Sequence, residues 1–139
     1  MNKNEITEST INGGEDSNKN QRIITAIKID VVDSTITEVE YESSDIESIH
    51  DLLECDRIDQ WTMNQFNDIL YVDDVGWLDR TTIGGFVING NHFAGHGLVV
   101  GVNNEGEDIN PSFTVEMLQR IVTFLGVEAI ERIKEKHFQ

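Results

Sequence analysis

Two pairs of side chains in this sequence have types and spacings that invite chemistry. Asp73 and Asp74 are adjacent in "LYVDDVGWLDR", directly after an alternating apolar run. At a strand end, two carboxylates are hard ligands for a divalent cation or an acid/base couple. Adjacent strand residues point to opposite faces, so both cannot reach one ion while the strand continues. Asp79 is the one further hard ligand nearby, and "DDVG" has the composition of a turn, with Asp early and Gly76 where positive φ is tolerated. The pair therefore reads as a turn. His92 and His96 stand four apart, the spacing of a helical zinc pair. However, "NHFAGHG" holds two glycines and lacks the Glu that follows the first His in such a motif, and no third ligand stands at a matching spacing. No metal is expected, and each imidazole is expected to hydrogen-bond across a loop.

Other chemistry is weaker still. Gly95, Gly97 and Gly101 in "GHGLVVG" superficially match a phosphate-binding glycine pattern. That chemistry needs a loop leading into a helix N-terminus, whereas these glycines lead into a strand. They are read as permitting a bend or a close strand crossing. No Gly-x-Ser-x-Gly elbow or local Cys-His signature is present, so no catalytic residue and no cofactor is assigned. Cys55 is the single cysteine, which rules out an internal disulfide and suits a small core position. Trp61, Trp77 and Tyr71 fall on strand-like segments, where aromatics usually pack; an exposed one would mark a partner surface.

The elements that must position these groups come from patterning. Residues 1–21 are polar, too poor in apolar side chains to offset the entropy of ordering, and are expected to form a flexible tail before one domain over 22–139. "RIITAIKIDVVDSTITEVEYE" predicts two β-branched strands, about 22–32 and 35–42, joined through Asp33-Ser34. "SSDIESIHDLLE" predicts a helix capped by Ser44 with Glu47 three residues on, its apolar stripe formed by Ile46, Ile49, Leu52 and Leu53. "DRIDQWTM" and "DILYVDD" predict a hairpin through Asn64 to Asn67. Phe86 to Ile88 and "HGLVVGVN" predict two more strands, and "NNEGED" a turn. Pro111 and Thr114 introduce a helix with Val115, Leu118, Ile121 and Val122 on its buried face, interrupted at Gly126 before "VEAIERIKEKHF". The expectation is α+β: a mostly antiparallel sheet of five to six short strands with two to three helices.

Charge narrows the function class. Acids outnumber bases 26 to 10, for a formal charge of -16. Such a chain is not expected to bind duplex nucleic acid, where Lys and Arg must replace counterions, nor anionic membranes. The same field attracts a basic protein surface. From Ile29 to Asp59 there are eleven acids against Arg57 alone, which predicts a one-sided acidic face. No apolar run approaches the ~18 residues of a membrane span. The start lacks the basic and apolar pattern of a signal peptide, so a cytoplasmic location is expected.

Four segments together, "DRIDQW", "DILYVDDVGWLDR", "GHGLVVGVNNEGED" and "LQRIVTF", resemble a family of bacteriophages and conjugative plasmids known as domain of unknown function 3846. The likeness covers about residues 25–124. It departs at Trp77, where a small aliphatic is more usual, and in the loop "NHFAGHG". The resemblance implies a phage or mobile-element origin and no agreed enzymatic activity, cofactor or functional residues. Joined to the charge, it leads to the expectation of a non-enzymatic counter-defence or host-takeover inhibitor. Such a protein would bind a host protein's nucleic-acid site as a DNA mimic. Its acidic face would comprise Asp30, Asp33, Glu38, Glu40, Glu42, Asp45, Glu47, Asp51, Asp56 and Asp59. The alternative is a small-ligand binder sequestering a nucleotide-type defence signal, with its pocket expected at a subunit interface of a homo-oligomer. It would use Arg57 or Arg80, His92 or His96 and backbone amides on the phosphates.

Overall fold

"IITAIKID" and "TITEVEYE" alternate β-branched and polar residues, and they fold as β1 (Ile23–Asp30) and β2 (Thr35–Glu42), an antiparallel hairpin. Its turn is fastened by the Asp30 carboxylate, which accepts from the Val32 and Asp33 amides at 3.0 Å each, and Ser34 takes the left-handed conformation at φ 55. The computed structural model describes residues 22–43, 45–64, 67–78 and 83–138. The expected tail 1–21, Ser44, Asp79 and Arg80 lie outside these. After the hairpin come α1 (Ile46–Leu53), β3 (Ile58–Thr62), β4 (Asp68–Asp73), β5 (Gly85–Ile88), β6 (Asn91–Ala94), β7 (Gly97–Val102) and β8 (Asp108–Ile109). The chain continues through α2 (Val115–Ile121), β9 (Val122–Leu125) and α3 (Val127–Phe138).

The fold is α+β and its described strand pairings are all antiparallel. A six-stranded sheet runs β2-β1-β7-β4-β3, with β8 paired to the end of β7; a second sheet runs β9-β5-β6. Strand alternation splits the core in two. On one face of the large sheet, Ile27, Ile29, Leu70, Val72 and Val99 meet Phe86, Ile88 and Phe93 of the small sheet and Leu118 of α2. On the other, Ile24, Ala26, Tyr41, Leu98 and Val100 pack against Ile49 and Leu53 of α1. Strand β7 is covered on both faces, which explains its unbroken apolar run. The Tyr41 hydroxyl donates to Asp108 Oδ2 at 2.7 Å, tying β2 to β8, and burial followed by that contact pushes the phenol's pKa up.

Three expectations are corrected. The cap of α1 is Asp45, whose carboxylate accepts from the Ser48 amide and hydroxyl, one residue later than the Ser44–Glu47 box. "NHFA" is strand β6 rather than loop, joined to β5 by Asn89-Gly90, both at positive φ. Val122 leaves the helix: Thr114 does cap α2, but "VTFL" pairs with β5 as β9. Edge pairing supplies its backbone groups with partners and suits its β-branched residues, which outweighs their helical spacing.

Where the small sheet meets α3, the approach is close. A Cβ on Gly85 would stand 2.2 Å from the Phe93 carbonyl oxygen and 2.6 Å from Ile130 Cδ1. Gly85→Ala is expected to cost about 3 kcal/mol in urea unfolding, because a strand carbonyl cannot give way as a side chain can. Gly126→Ala, with open space around it, should be close to neutral.

Candidate functional site

Helix α1 buries Ile49 and Leu53 against the sheet and turns its charged side outward. It ends at Glu54, in the left-handed conformation at φ 56, and the chain then passes Cys55 and Asp56. Glu47, His50, Asp51, Glu54, Cys55 and Asp56 line an open cleft of about 470 Å³. His50 Nδ1 donates to the Cys55 carbonyl at 3.1 Å, which closes the end of the helix. Cys55 itself packs against the α1-side core.

A charge cluster built around the buried His96 lies at the end of α1, with Lys28 and Asp30 half-buried and Glu54 exposed. Lys28 and Asp30 project from β1 on this face, His96 precedes β7, and Glu54 reaches in from the helix end. Lys28 Nζ lies 3.7 Å from Asp30 Oδ2 and 3.9 Å from Glu54 Oε2. His96, with a fully buried side chain, accepts from the Val31 amide on Nδ1 at 3.1 Å. Its Nε2 is 3.3 Å from Glu54 Oε2, within ion-pair distance but outside hydrogen-bonding alignment, so this buried nitrogen has no aligned partner. Burial, then the Lys28 cation, holds the imidazole below its usual range against the opposite pull of Asp30 and Glu54. Burial would raise Asp30, but the Asp33 amide, His96, Lys28 and the Val32 amide together hold it below the usual carboxylate range.

The ten carboxylates expected on one face are divided. Asp45, Glu47, Asp51 and Asp56 gather around α1. Glu38, Glu40 and Glu42 are exposed on edge strand β2 and register with Ile27, Thr25 and Ile23, so they stand on the sheet face away from α1. Asp33 sits in the β1–β2 turn. Asp59 lies on the opposite edge strand, β3, its carboxylate taking the Gln60 amide. Asp30 is engaged by two turn amides, Lys28 and His96, and is not a free surface charge. The single acidic face is thus corrected to separate surfaces, because a strand sends alternate side chains to opposite sides.

Among the described residues, the alternative ligand set is not assembled either. His92 is exposed on β6, His96 is buried under α1, and Arg57 pairs with Asp74 at 3.1 Å on the surface. Asp73 behaves as a turn residue: its carboxylate accepts from the Val75 amide at 3.0 Å and its carbonyl from Gly76. Gly95 has φ +97, and a Cβ on Gly97 would lie 2.7 Å from Phe86 Cζ, so these glycines serve a bend and a close crossing. Among the described residues, no group of three or more His, Cys, Asp or Glu is arranged to hold a metal ion. Trp61 is 44% exposed and meets Phe93 edge-to-face at 5.3 Å.

The sequence reading missed Lys28 and Glu54 as members of a cluster, although Lys28 shares the inward parity of Ile24 and Ala26. It also missed Asp68, which is 1% exposed and accepts from the Ser112 amide and hydroxyl and the Phe113 amide at 2.8–3.0 Å. Among the described residues, no helix is long and apolar enough to cross a membrane. No family model, no curated protein and no solved structure matches the chain.

Proposed function

We propose that this chain is a non-enzymatic acidic binding protein of phage or mobile-element origin. In this reading it is a counter-defence or host-takeover inhibitor that occupies the basic surface of a host nucleic-acid-binding protein. The origin rests on the family resemblance. The contact face is carried by one observation: Glu47, Asp51, Glu54 and Asp56 line one cleft beside α1, and among the described residues its lining holds no Lys or Arg. Carboxylates held at fixed spacing on a helix imitate phosphates, and a net charge of -16 speeds encounter with a basic cleft.

The test is capture of partners from bacterial lysate at low and high salt, followed by rate measurements on the captured protein with DNA as competitor. Binding should weaken as salt screens exposed charges, and DNA should compete. Reversing Glu47, Asp51 and Asp56 to Lys should lower the association rate about tenfold or more at low salt. Reversing Glu38, Glu40 and Glu42 on the other sheet face should have a smaller effect. A partner that binds together with its DNA, or equally well after the α1 reversals, would refute the reading.

A further inference from the structure

Atom by atom, the contacts of His96 set up a choice between two arrangements. A backbone amide only donates, so the Val31 bond leaves Nδ1 without a proton and puts the single ring hydrogen on Nε2. A second proton must go to Nδ1. There it would set two N–H donors against each other across 3.1 Å, and a charged ring therefore cannot keep Val31. The alternative acceptor is close: Asp30 Oδ1 is 3.7 Å from Nδ1. That same oxygen accepts the Val32 and Asp33 amides and so holds the β1–β2 turn. On the other side of the ring, Nε2 lies 3.3 Å from Glu54 Oε2 without hydrogen-bonding alignment. The charged groups around the imidazole are Lys28 and Asp30 from β1 and Glu54 from the end of α1. From β4, Asp73 lies against Gly95 with its carboxylate on the Val75 amide.

We propose that His96 is a proton-operated latch. When neutral, it fastens the Val31 amide, and with it the β1–β2 turn, to the start of β7. When protonated, it releases Val31 and is held by Asp30 and Glu54 instead. The direction with pH follows. The folded imidazole titrates below its ordinary 6.5, so the stability it contributes is full above that value and is lost as pH falls through the folded value. Asp30 is also lowered in the fold, and its contribution is lost only further down, below 3.8. The latch therefore opens as pH falls below the imidazole's ordinary 6.5.

The test follows the His96 ring nitrogens and the Val31 amide by NMR in the whole chain, from about pH 7.5 to about pH 4.5. At the upper end the ring should be the Nε2–H tautomer and the Val31 amide protected. On acidification Val31 exchange, corrected for its intrinsic pH dependence, should speed up about tenfold or more with the ring's own midpoint. His96→Asn places a carbonyl oxygen where Nδ1 stands, and should keep Val31 protected and abolish the step. Should that variant not fold, Asp30→Asn keeps an acceptor for the turn but removes the anion, and should move the midpoint to lower pH. Three results would overturn the proposal: an Nδ1–H tautomer at neutral pH, Val31 protection unchanged while the ring titrates, or an unshifted midpoint in Asp30→Asn.

Discussion

Replacing Phe86 by Ala should cost about 3–5 kcal/mol of stability, the largest loss expected from a single side chain in this protein. Phe86 is fully buried between the two sheets and stacks on Phe93 with ring centroids 5.2 Å apart. Its ring lies over Gly97 of β7, so truncation opens a cavity at the centre of the large sheet. β7 is held on both sides by β1 and β4, which limits collapse into that space. Urea unfolding is the measurement, with Phe86→Leu as the milder comparison. A loss below about 1 kcal/mol would show that the two layers close over the gap.

Asp68→Ala should follow, at about 3 kcal/mol. The carboxylate takes two amides and a hydroxyl from residues 112 and 113, and the residue's own amide donates to Asn64 Oδ1 at 3.1 Å. It thus ties the β3–β4 hairpin to the chain entering α2. Without it, those donors lose a charged acceptor, and the segment before Thr114 loses its anchor. Asp68→Asn retains one acceptor oxygen and should lose roughly half as much. If the alanine variant matched the wild type in urea, water would be satisfying the freed donors.

Local patterning carried the β1–β2 and β3–β4 hairpins, the α1 stripe of Ile49 and Leu53, and the Thr114 cap, because each depends on neighbours within a few residues. β9 was not legible: Val115, Leu118, Ile121 and Val122 fit helical spacing, and only the distant β5 makes Val122 a strand residue. β6 left a usable signal, since Asn89-Gly90 is a strong short hairpin turn, but its arms are only four residues each. At the candidate site, clustering of acids in sequence suggested one face. The parity of Glu38, Glu40 and Glu42 against β1 depends on the hairpin register, and it sends them to the opposite side of the sheet from α1. The His96 cluster joins residues 28, 30, 54 and 96, a constellation that no local spacing encodes.

The position of β7 also has a consequence for how the chain assembles. The β1–β2 and β3–β4 hairpins close from local contacts, but β7 must slide between them, pairing Val99 with Ile27 on one side and with Leu70 on the other. Closing those long loops costs entropy before any non-local contact is gained, which places such topologies among the slower folders, in the millisecond-to-second range. During synthesis, the inner edges of β1 and β4 stay open until β7 leaves the ribosome, and β8 then pairs with β7 to complete the sheet.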